Sequence, residues 1–389
     1  MADYKILVPP PRRHRPLLIA GVVAVAVIIV VAAVVVVTHR GHANNATSSS
    51  TSTSATVAAP PLTVVSTTPA SGATNVPTDT SVAVQLSAPI ASVAAMPSLA
   101  PPVAGTWKKT GATIATFVPT SAFLPTTVEY LTFPAGPSGL RGVAGGVLAT
   151  PLTVTFTIGQ ASTERLQQLL AQENYLPLSF TPSAPLSSPA ETFMPQTGTF
   201  AWRWPGTPPD LMALWTEGSE NVITKGAVMN FENQHGLTVD GLAGQKVWTA
   251  LVTDAAAGKT NANPYTYVLV QKTLPQNLNL YNNGALQFAA IPVNTGVPGA
   301  DTADGTYPVF EHITSSRMQG TNPDGSTYDD PAVPWAAYFN GGDALHGFVR
   351  GSYGSPQSNG CVEMAITDAA KTWPLTPIGT LVTVTGPAS

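Results

Sequence analysis

An unbroken apolar run lies near the N-terminus of this chain. Residues 17–37 are 21 consecutive apolar residues, enough for a helix that crosses about 30 Å of hydrocarbon. Basic residues are concentrated before the run, at Lys5, Arg12, Arg13 and Arg15. Because positive charge is retained on the cytoplasmic side, we expect a cytoplasmic tail at 1–16. The run then predicts a single-pass anchor in the cell membrane at 17–38 and an extracytoplasmic remainder.

The segment after the predicted anchor, residues 39–61, has the composition of a flexible linker. Its central part is almost entirely Asn, Ser, Thr and Ala, and two prolines close it. Such a stretch cannot bury enough apolar surface to form a core. Ala43 and Ala46 leave a cleaved signal peptide open as an alternative, although the apolar core of such peptides is usually only about 7–15 residues long.

Length, charge and cysteine content exclude several classes of protein. A chain of 389 residues is long enough for two to four domains. Its net charge of −4 gives no reason to expect a nucleic-acid partner. The single cysteine excludes an intrachain disulfide framework. No phosphate-binding or dinucleotide-binding motif is present in the sequence.

Residues 62–158 predict a β-sandwich. Short alternating runs such as 81–86 and 153–158 are rich in β-branched residues, and proline and glycine turns separate them. The start of the segment, residues 68–77, resembles bacterial Ig-like domains. No catalytic constellation is present, so we expect a spacer, with a binding role as the alternative.

Residues 160–255 change to helical periodicity and predict a small all-α bundle. Apolar residues recur at helical spacing in 164–170. Ser219 is a good N-cap for a second helix, and Gly236 is a C-terminal stop for it. A third helix follows the turn at Asp240, and a proline-rich insert separates the first two.

A set of apolar and glycine residues in this region resembles the peptidoglycan-binding three-helix domain. The residues that carry the resemblance are Phe231, Gly236, Leu237, Asp240, Gly241, Gly244, Trp248 and Leu251. The resemblance implies affinity for the cell wall. In physical terms, the large apolar members of this set are core residues.

The C-terminal segment, residues 262–389, contains the only cysteine of the chain, Cys361, fifteen residues after His346. A thiol becomes a useful nucleophile when a nearby base favours the thiolate and the sulfur is accessible. Gly360 allows a sharp bend, so that backbone N–H groups face an oxyanion. Two alternatives to a catalytic Cys361 remain. The cysteine is a buried structural residue, or, as a weaker alternative, His312, His346 and Cys361 bind zinc.

The pattern around Cys361 predicts a mainly-β domain. The expected elements follow in this order: a strand at 265–270, a hairpin turn around Gly284, a short strand before His346, a helix at 365–373 and a closing strand at 379–385.

A short run after His346 resembles the catalytic motif of L,D-transpeptidases of the YkuD type. The run reads Ser358-Asn359-Gly360-Cys361-Val362-Glu363. Two positions depart from the commonest form of that motif. Asn359 stands where a second histidine is usual, and Glu363 stands where an arginine or asparagine is usual. A carboxylate near the thiol raises its pKa unless the carboxylate is paired or points away.

The resemblance implies an acyltransferase with a set of site residues. Cys361 is the implied nucleophile and His346 its base. The remaining implied or candidate residues are the oxyanion loop of Ser358, Asn359 and Gly360, and the substrate-binding Tyr338 and Arg350. No metal or organic cofactor is required.

The implied substrate is the stem peptide of peptidoglycan, and the implied product is a 3→3 cross-link formed through a cysteine thioester. We therefore expect an extracytoplasmic enzyme that faces the cell wall, with one N-terminal helix in the membrane. Two alternatives remain open: an L,D-carboxypeptidase, in which water replaces the amine, and a catalytically inactive wall-binding scaffold.

Overall fold

The structure is a computed structural model that describes residues 59–93 and 95–387. The predicted cytoplasmic tail, the anchor and most of the linker lie outside the described residues. Among the described residues, no helix combines the length and apolar character needed to span a bilayer.

Across residues 64–93 and 95–158, two four-stranded sheets face each other. Their strands are β1 (Val64–Thr68), β2 (Ala73–Val76), β3 (Val82–Leu86), β4 (Ser98–Ala100), β5 (Gly105–Lys109), β6 (Ile114–Pro119), β7 (Val128–Phe133) and β8 (Leu152–Ile158). The sheet orders are β1-β3-β6-β5 and β2-β8-β7-β4. Alternate residues of β3 and β8 are buried in one shared apolar core, as expected for strands with one face inward. The predicted sandwich is confirmed.

The next region contains helices and one β-hairpin. Its elements are α1 (Thr163–Gln172), β9 (Leu178–Pro182), β10 (Gly198–Trp202), α2 (Pro209–Met212), α3 (Val222–Gln234) and α4 (Gln245–Ala257). Ser162 caps α1 by accepting a hydrogen bond from the Arg165 N–H at 3.1 Å. Asn221, rather than the predicted Ser219, caps α3, and its Oδ1 accepts from the Thr224 N–H at 2.9 Å.

The prediction of an all-α bundle missed the hairpin within the proline-rich insert. Strands β9 and β10 pair antiparallel from Gly198↔Pro182 to Trp202↔Leu178. The Phe180 and Phe200 rings pack across the pair with centroids 4.9 Å apart, an aromatic cross-strand contact that stabilises hairpins. The insert therefore adds apolar surface to the helices.

The C-terminal module is built on a nine-stranded sheet formed by residues 266–385, all of which the structure describes. Its elements are β11 (Thr266–Gln271), β12 (Asn277–Asn282), β13 (Ala285–Asn294), β14 (Gly305–Pro308), β15 (Glu311–Thr321), β16 (Thr327–Asn340), β17 (Asp343–Gly347), β18 (Val362–Met364), α5 (Ile366–Thr372) and β19 (Leu381–Thr385). The strand order is β14-β19-β11-β12-β13-β18-β17-β16-β15. This mainly-β fold confirms the prediction for the module.

The two faces of this sheet bury different partners. Tyr267 and Leu269 of β11 join the apolar core of the helices, whereas Val268 and Val270 join a second core with Ala369 of α5. The alternation follows directly from the two-residue repeat of a strand. Burial on both faces explains the uninterrupted apolar run from Tyr267 to Val270.

Strands β15 and β16 form a long antiparallel hairpin that continues into the part of the sheet carrying the cysteine. β16 pairs antiparallel with β17, and β17 pairs parallel with β18. The connection between β17 and β18, residues 348–361, ends at the cysteine. This topology brings the predicted histidine and cysteine to neighbouring strands.

Candidate active site

His346 and Cys361 lie on the same face of the sheet. In the parallel pair of β17 and β18, Leu345 is opposite Val362 and His346 is opposite Glu363. Paired residues share a face and alternate along the strand. Cys361, directly before β18, contacts the same apolar cluster as Ala344, two residues before His346. The structure thus places the two residues that the sequence singles out on one face of the sheet.

The Cys361 thiol is enclosed. It is 1% exposed and lies in an apolar cluster with residues of the β15–β16 hairpin, namely Met318, Tyr328, Val333, Ala336 and Tyr338. Its Sγ is 3.7 Å from the Gly342 carbonyl oxygen, to which it donates. Burial raises the thiol pKa, and the Asp343 and Glu363 carboxyls raise it further, while a hydrogen bond from the Ala344 N–H opposes them. The thiol is therefore held protonated in this arrangement.

The His346 imidazole is completely buried. Its Nδ1 is 3.1 Å from the Gly347 carbonyl oxygen, and because a carbonyl only accepts, Nδ1 carries the proton. The acceptor lone pair is then on Nε2. Burial lowers the His346 pKa, Glu363 raises it, and Arg350 lowers it. An imidazole that stays neutral is suited to accept a proton from a thiol.

Glu363 is paired, and its partner is Arg350. The guanidinium donates two hydrogen bonds to the carboxylate, from Nε to Oε2 and from Nη2 to Oε1, both at 2.8 Å. The side chains are 9% and 0% exposed. Nη2 also donates to the Gln357 carbonyl oxygen at 3.0 Å. A bidentate pair of this kind is among the stronger charged contacts, and here it fixes the loop between the histidine and the cysteine.

This pair was missed by the sequence reasoning, although both residues had been singled out separately. Arg350 was expected to contact substrate, and that role remains a prediction, since its guanidinium is engaged within the protein here. One feature of the sequence could have indicated the ion pair: Arg350 and Glu363 carry opposite charges 13 residues apart in a chain with only 10% charged residues.

Asp343 is a second carboxyl at the cysteine that the sequence reasoning missed. Burial raises its pKa to about 7, partly offset by hydrogen bonds from Asn340 and from the Ala303 N–H. Gly360 has φ +118°, and a Cβ built on it would lie 2.2 Å from Asp343 Oδ1. Position 360 requires glycine for two reasons. Its φ is positive, which side chains disfavour, and any Cβ there would collide with the Asp343 carboxyl.

The other predicted residues have structural partners in this arrangement. Ser358 closes its own turn, since its Oγ donates to the Cys361 carbonyl at 2.5 Å and accepts from the Gly360 N–H at 3.3 Å. Asn359 donates from Nδ2 to Asn322 Oδ1 at 3.1 Å, while its buried Oδ1 has no hydrogen-bond partner among the described residues. The loop is therefore tied to the end of the hairpin through one amide contact.

Tyr338 and His312 are held by neighbours. The Tyr338 hydroxyl lies 2.6 Å from Ser316 Oγ, and burial raises the Tyr338 pKa to about 12. His312 stacks on Trp373 with ring centroids 3.8 Å apart, and its Nε2 donates to the Trp373 carbonyl at 2.8 Å. These contacts give His312 a structural role at Trp373, in contrast to the zinc ligand considered from the sequence.

Comparison with known families agrees with two of the resemblances. Residues 57–158 match the bacterial Ig-like domain family, and residues 265–384 match the L,D-transpeptidase catalytic domain family. The C-terminal module is therefore similar to the catalytic domain of L,D-transpeptidases. The three-helix peptidoglycan-binding resemblance stays a prediction.

Several solved structures are similar to the chain. An L,D-transpeptidase from Mycobacterium smegmatis is 13% identical with a TM-score of 0.29, and the match covers 84% of this chain and 100% of that one. L,D-transpeptidase 3 from Mycobacterium tuberculosis, with a faropenem-derived adduct, is 14% identical with a TM-score of 0.29, covering 83% and 98%.

The catalytic domain of the Enterococcus faecium L,D-transpeptidase is 22% identical with a TM-score of 0.28 over 32% of this chain and 100% of that one. No curated protein sequence matches the chain. The functional argument below therefore depends on the family match and on the geometry of the site.

Proposed function

We propose that the protein is a cell-wall L,D-transpeptidase that forms 3→3 peptidoglycan cross-links through a thioester on Cys361. The observation that carries the proposal is the placement of Cys361 and His346 on one face of neighbouring strands, within a domain of this family. A cysteine with a nearby histidine as its base is a recurring arrangement for covalent acyl transfer, and this supports the proposed roles.

In the proposed reaction, His346 takes the thiol proton and Cys361 attacks the carbonyl of the third stem residue. The C–N bond to D-alanine breaks, and His346 returns the proton to the leaving amine. An amine on a second stem then attacks the thioester, the C–S bond breaks and the thiol is restored. The backbone N–H of Cys361 is the proposed oxyanion donor, and the Gly360 N–H joins it once its hydrogen bond to Ser358 Oγ breaks.

The buried sulfur sets a condition on this reaction. Because the β15–β16 hairpin packs over Cys361, a polymeric substrate reaches the sulfur only after that hairpin moves. The Asn322–Asn359 contact ties the hairpin end to the catalytic loop, so this contact is expected to break during opening. Acylation is then preceded by a conformational step.

The proposal also covers location. A membrane anchor at 17–38, a linker, an Ig-like spacer and a wall-binding helical region would hold the catalytic domain at the polymer. Tethering of this kind raises the effective concentration of substrate.

The test is intact-mass spectrometry of the full-length chain incubated with a carbapenem, compared with Cys361→Ala. The proposal predicts one covalent adduct on the parent chain and none on the variant. An adduct that persists in Cys361→Ala would show that another nucleophile reacts.

A second candidate, an inactive wall-binding scaffold, is favoured by one observation, the enclosed thiol with its raised pKa. It predicts no adduct on the parent chain and no turnover of a disaccharide-tetrapeptide, together with retention on insoluble cell wall. Release of D-alanine without cross-linked product would instead indicate an L,D-carboxypeptidase.

A further inference from the structure

Lys272 is a buried cation that the proposed mechanism does not use. It directly follows β11, and its side chain is 2% exposed. Lysine is almost never fully buried unless it is paired. Its Nζ lies 2.9 Å from Asp304 Oδ1 and donates to the Thr302 carbonyl oxygen at 3.2 Å. Both partners belong to the connection between β13 and β14, residues 295–304, which we call the 295–304 loop.

The ion pair between Lys272 and Asp304 is uneven. Asp304 is 53% exposed, so its carboxylate stays hydrated, whereas the ammonium has lost nearly all of its contact with water. A buried charge is unfavourable unless it is paired and hydrogen-bonded. Because Asp304 and the Thr302 carbonyl together meet that need, the ammonium holds the 295–304 loop by one side chain and by its backbone.

The 295–304 loop supports the loop that ends at the cysteine. The Thr295 carbonyl oxygen accepts from the Gln357 N–H at 2.9 Å and from the Ser358 N–H at 3.0 Å. The Val297 N–H donates to the Ser358 carbonyl oxygen at 2.8 Å. Ser358 in turn donates from Oγ to the Cys361 carbonyl oxygen. The two loops are therefore paired only three residues before the sulfur.

The same loop also contacts the carboxyl beside the sulfur. The Ala303 N–H donates to the Asp343 carboxyl. Ala303 stands between the two residues that the Lys272 ammonium contacts. The Asp343 carboxyl, when charged, raises the pKa of the Cys361 thiol. Lys272 is therefore linked to the sulfur through one backbone donor and one carboxyl.

Other groups around Asp343 and the sulfur are neutral or already paired. Asn340 donates to Asp343 Oδ2 at 3.4 Å, and the Cys361 thiol is neutral because burial raises its pKa. Glu363, the other carboxyl whose charge acts on the thiol, is paired with Arg350. A change in the backbone donor from the 295–304 loop therefore acts on Asp343 directly.

We propose that Lys272 is a positioning residue for the acylation step, which acts through the 295–304 loop and holds the Ala303 N–H on the Asp343 carboxyl. The inference rests on the proposed function and adds to it a residue that acts only through others. Without the ammonium, the loop is released at two points and the Asp343 carboxyl loses a donor. Because a hydrogen bond to the charged form favours ionisation, Asp343 then stays protonated to a higher pH.

The test is the pH dependence of carbapenem acylation of the full-length chain, followed by intact mass on both sides of neutral pH. In the parent chain the profile should bend near the pKa of Asp343, about 7, because the charged carboxyl disfavours the thiolate. Lys272→Met should move this bend upward by about one pH unit, the size expected for losing one hydrogen bond to a charged group. Methionine keeps an apolar stem in the buried site, and Asp304 is exposed enough to remain hydrated.

A second, milder variant keeps the test decisive if Lys272→Met does not fold. Asp304→Asn changes a half-exposed side chain and removes the charge that the ammonium meets on the 295–304 loop. It should move the bend in the same direction by a smaller amount. The matched control is Lys371→Met, which removes a lysine from an exposed pair with Asp368 in α5 and should leave the bend in place.

A double variant shows whether Lys272 acts through Asp343. Asp343→Asn should abolish the bend, and adding Lys272→Met to it should then cause no displacement along the pH axis. A purely structural role would instead lower the rate by the same factor at every pH in both backgrounds.

The proposal is overturned if Lys272→Met, or Asp304→Asn in its place, leaves the bend at the parent pH, whatever happens to the rate. It is also overturned if Lys371→Met moves the bend by the same amount. Absence of any adduct on the parent chain would instead overturn the proposed function, and the role of Lys272 with it.

Discussion

The Ig-like sandwich and the transpeptidase domain use their interiors differently. The sandwich encloses a continuous apolar core that includes Leu131, Phe133 and Phe156, and its buried carboxyl, Glu129, has a pKa raised to about 7 by burial. The transpeptidase domain buries ionisable groups beside one another, His346 and Cys361 with the Arg350–Glu363 pair. The sandwich interior contributes stability, and under the proposed function the interior of the C-terminal module also holds the reacting groups.

The largest effect that tests this contrast is on catalysis. His346→Ala should slow acylation by a carbapenem by roughly 10²–10⁴-fold, the usual contribution of a general base. Stopped-flow or mass-based acylation kinetics would measure it. Unchanged kinetics would contradict His346 as the base.

A second prediction concerns the buried ion pair. Arg350→Met leaves the Glu363 carboxyl buried without its cation, and breaking such a pair costs about 3–5 kcal/mol. Amide hydrogen exchange in β17 and β18, followed by mass spectrometry, should show a corresponding loss of protection.

The matched control for that change is the double variant Arg350→Glu with Glu363→Arg, which restores an ion pair with the charges reversed. It should recover most of the protection in β17 and β18. Equal protection in all three proteins would show that the pair contributes nothing to this region.

The third prediction moves to the sandwich. Leu131→Ala removes a fully buried side chain and should lower the free energy of unfolding of that domain by about 2–5 kcal/mol. Acylation of Cys361 should stay unchanged, because the substitution lies outside the catalytic domain. A parallel fall in acylation rate would mean that the two interiors are energetically coupled.

The smallest expected effect distinguishes two buried carboxyls, Asp343 and Glu129, whose pKa values are both raised to about 7. Burial raises the pKa of Asp343 from an ordinary 3.8 to about 7. Because the pKa of Asp343 is raised in the folded state, the protonated carboxyl stabilises the fold fully below about pH 4. This stabilisation is lost as the pH rises through about 7. Asp343→Asn should remove this trend in stability between pH 4 and 7.

Asp343→Asn should also increase acylation a few-fold above pH 7, because the charged carboxyl raises the Cys361 pKa. Glu129→Gln in the sandwich is the control: it should flatten the same stability trend without any change in acylation. Identical acylation profiles for Asp343→Asn and the parent chain would remove Asp343 from the account.

Much of the fold was predictable because it depends on local patterns. Alternating burial in β3 and β8, the helical spacing in α1, and the order of strand, histidine, loop and cysteine are all visible in the sequence. The hairpin of β9 and β10 was not, because the proline-rich composition concealed the pairing of Phe180 with Phe200.

The site was predictable in its members but not in their relations. Cys361 and His346 stand out by residue type and motif. The pairing of Arg350 with Glu363 depends on the path of the loop, and the approach of Asp343 to Gly360 depends on the register of β17 against β18. Local patterns do not encode these distances, so neither contact could be read from spacing alone.

The most direct measurement of the central claim is peptide mapping of the full-length chain after brief incubation with a disaccharide-tetrapeptide. The account predicts that the peptide containing Cys361 gains the mass of the donor less D-alanine, and that this gain disappears when an amine acceptor is added. A Cys361 peptide of unaltered mass, with D-alanine nonetheless released, would contradict a thioester on this sulfur.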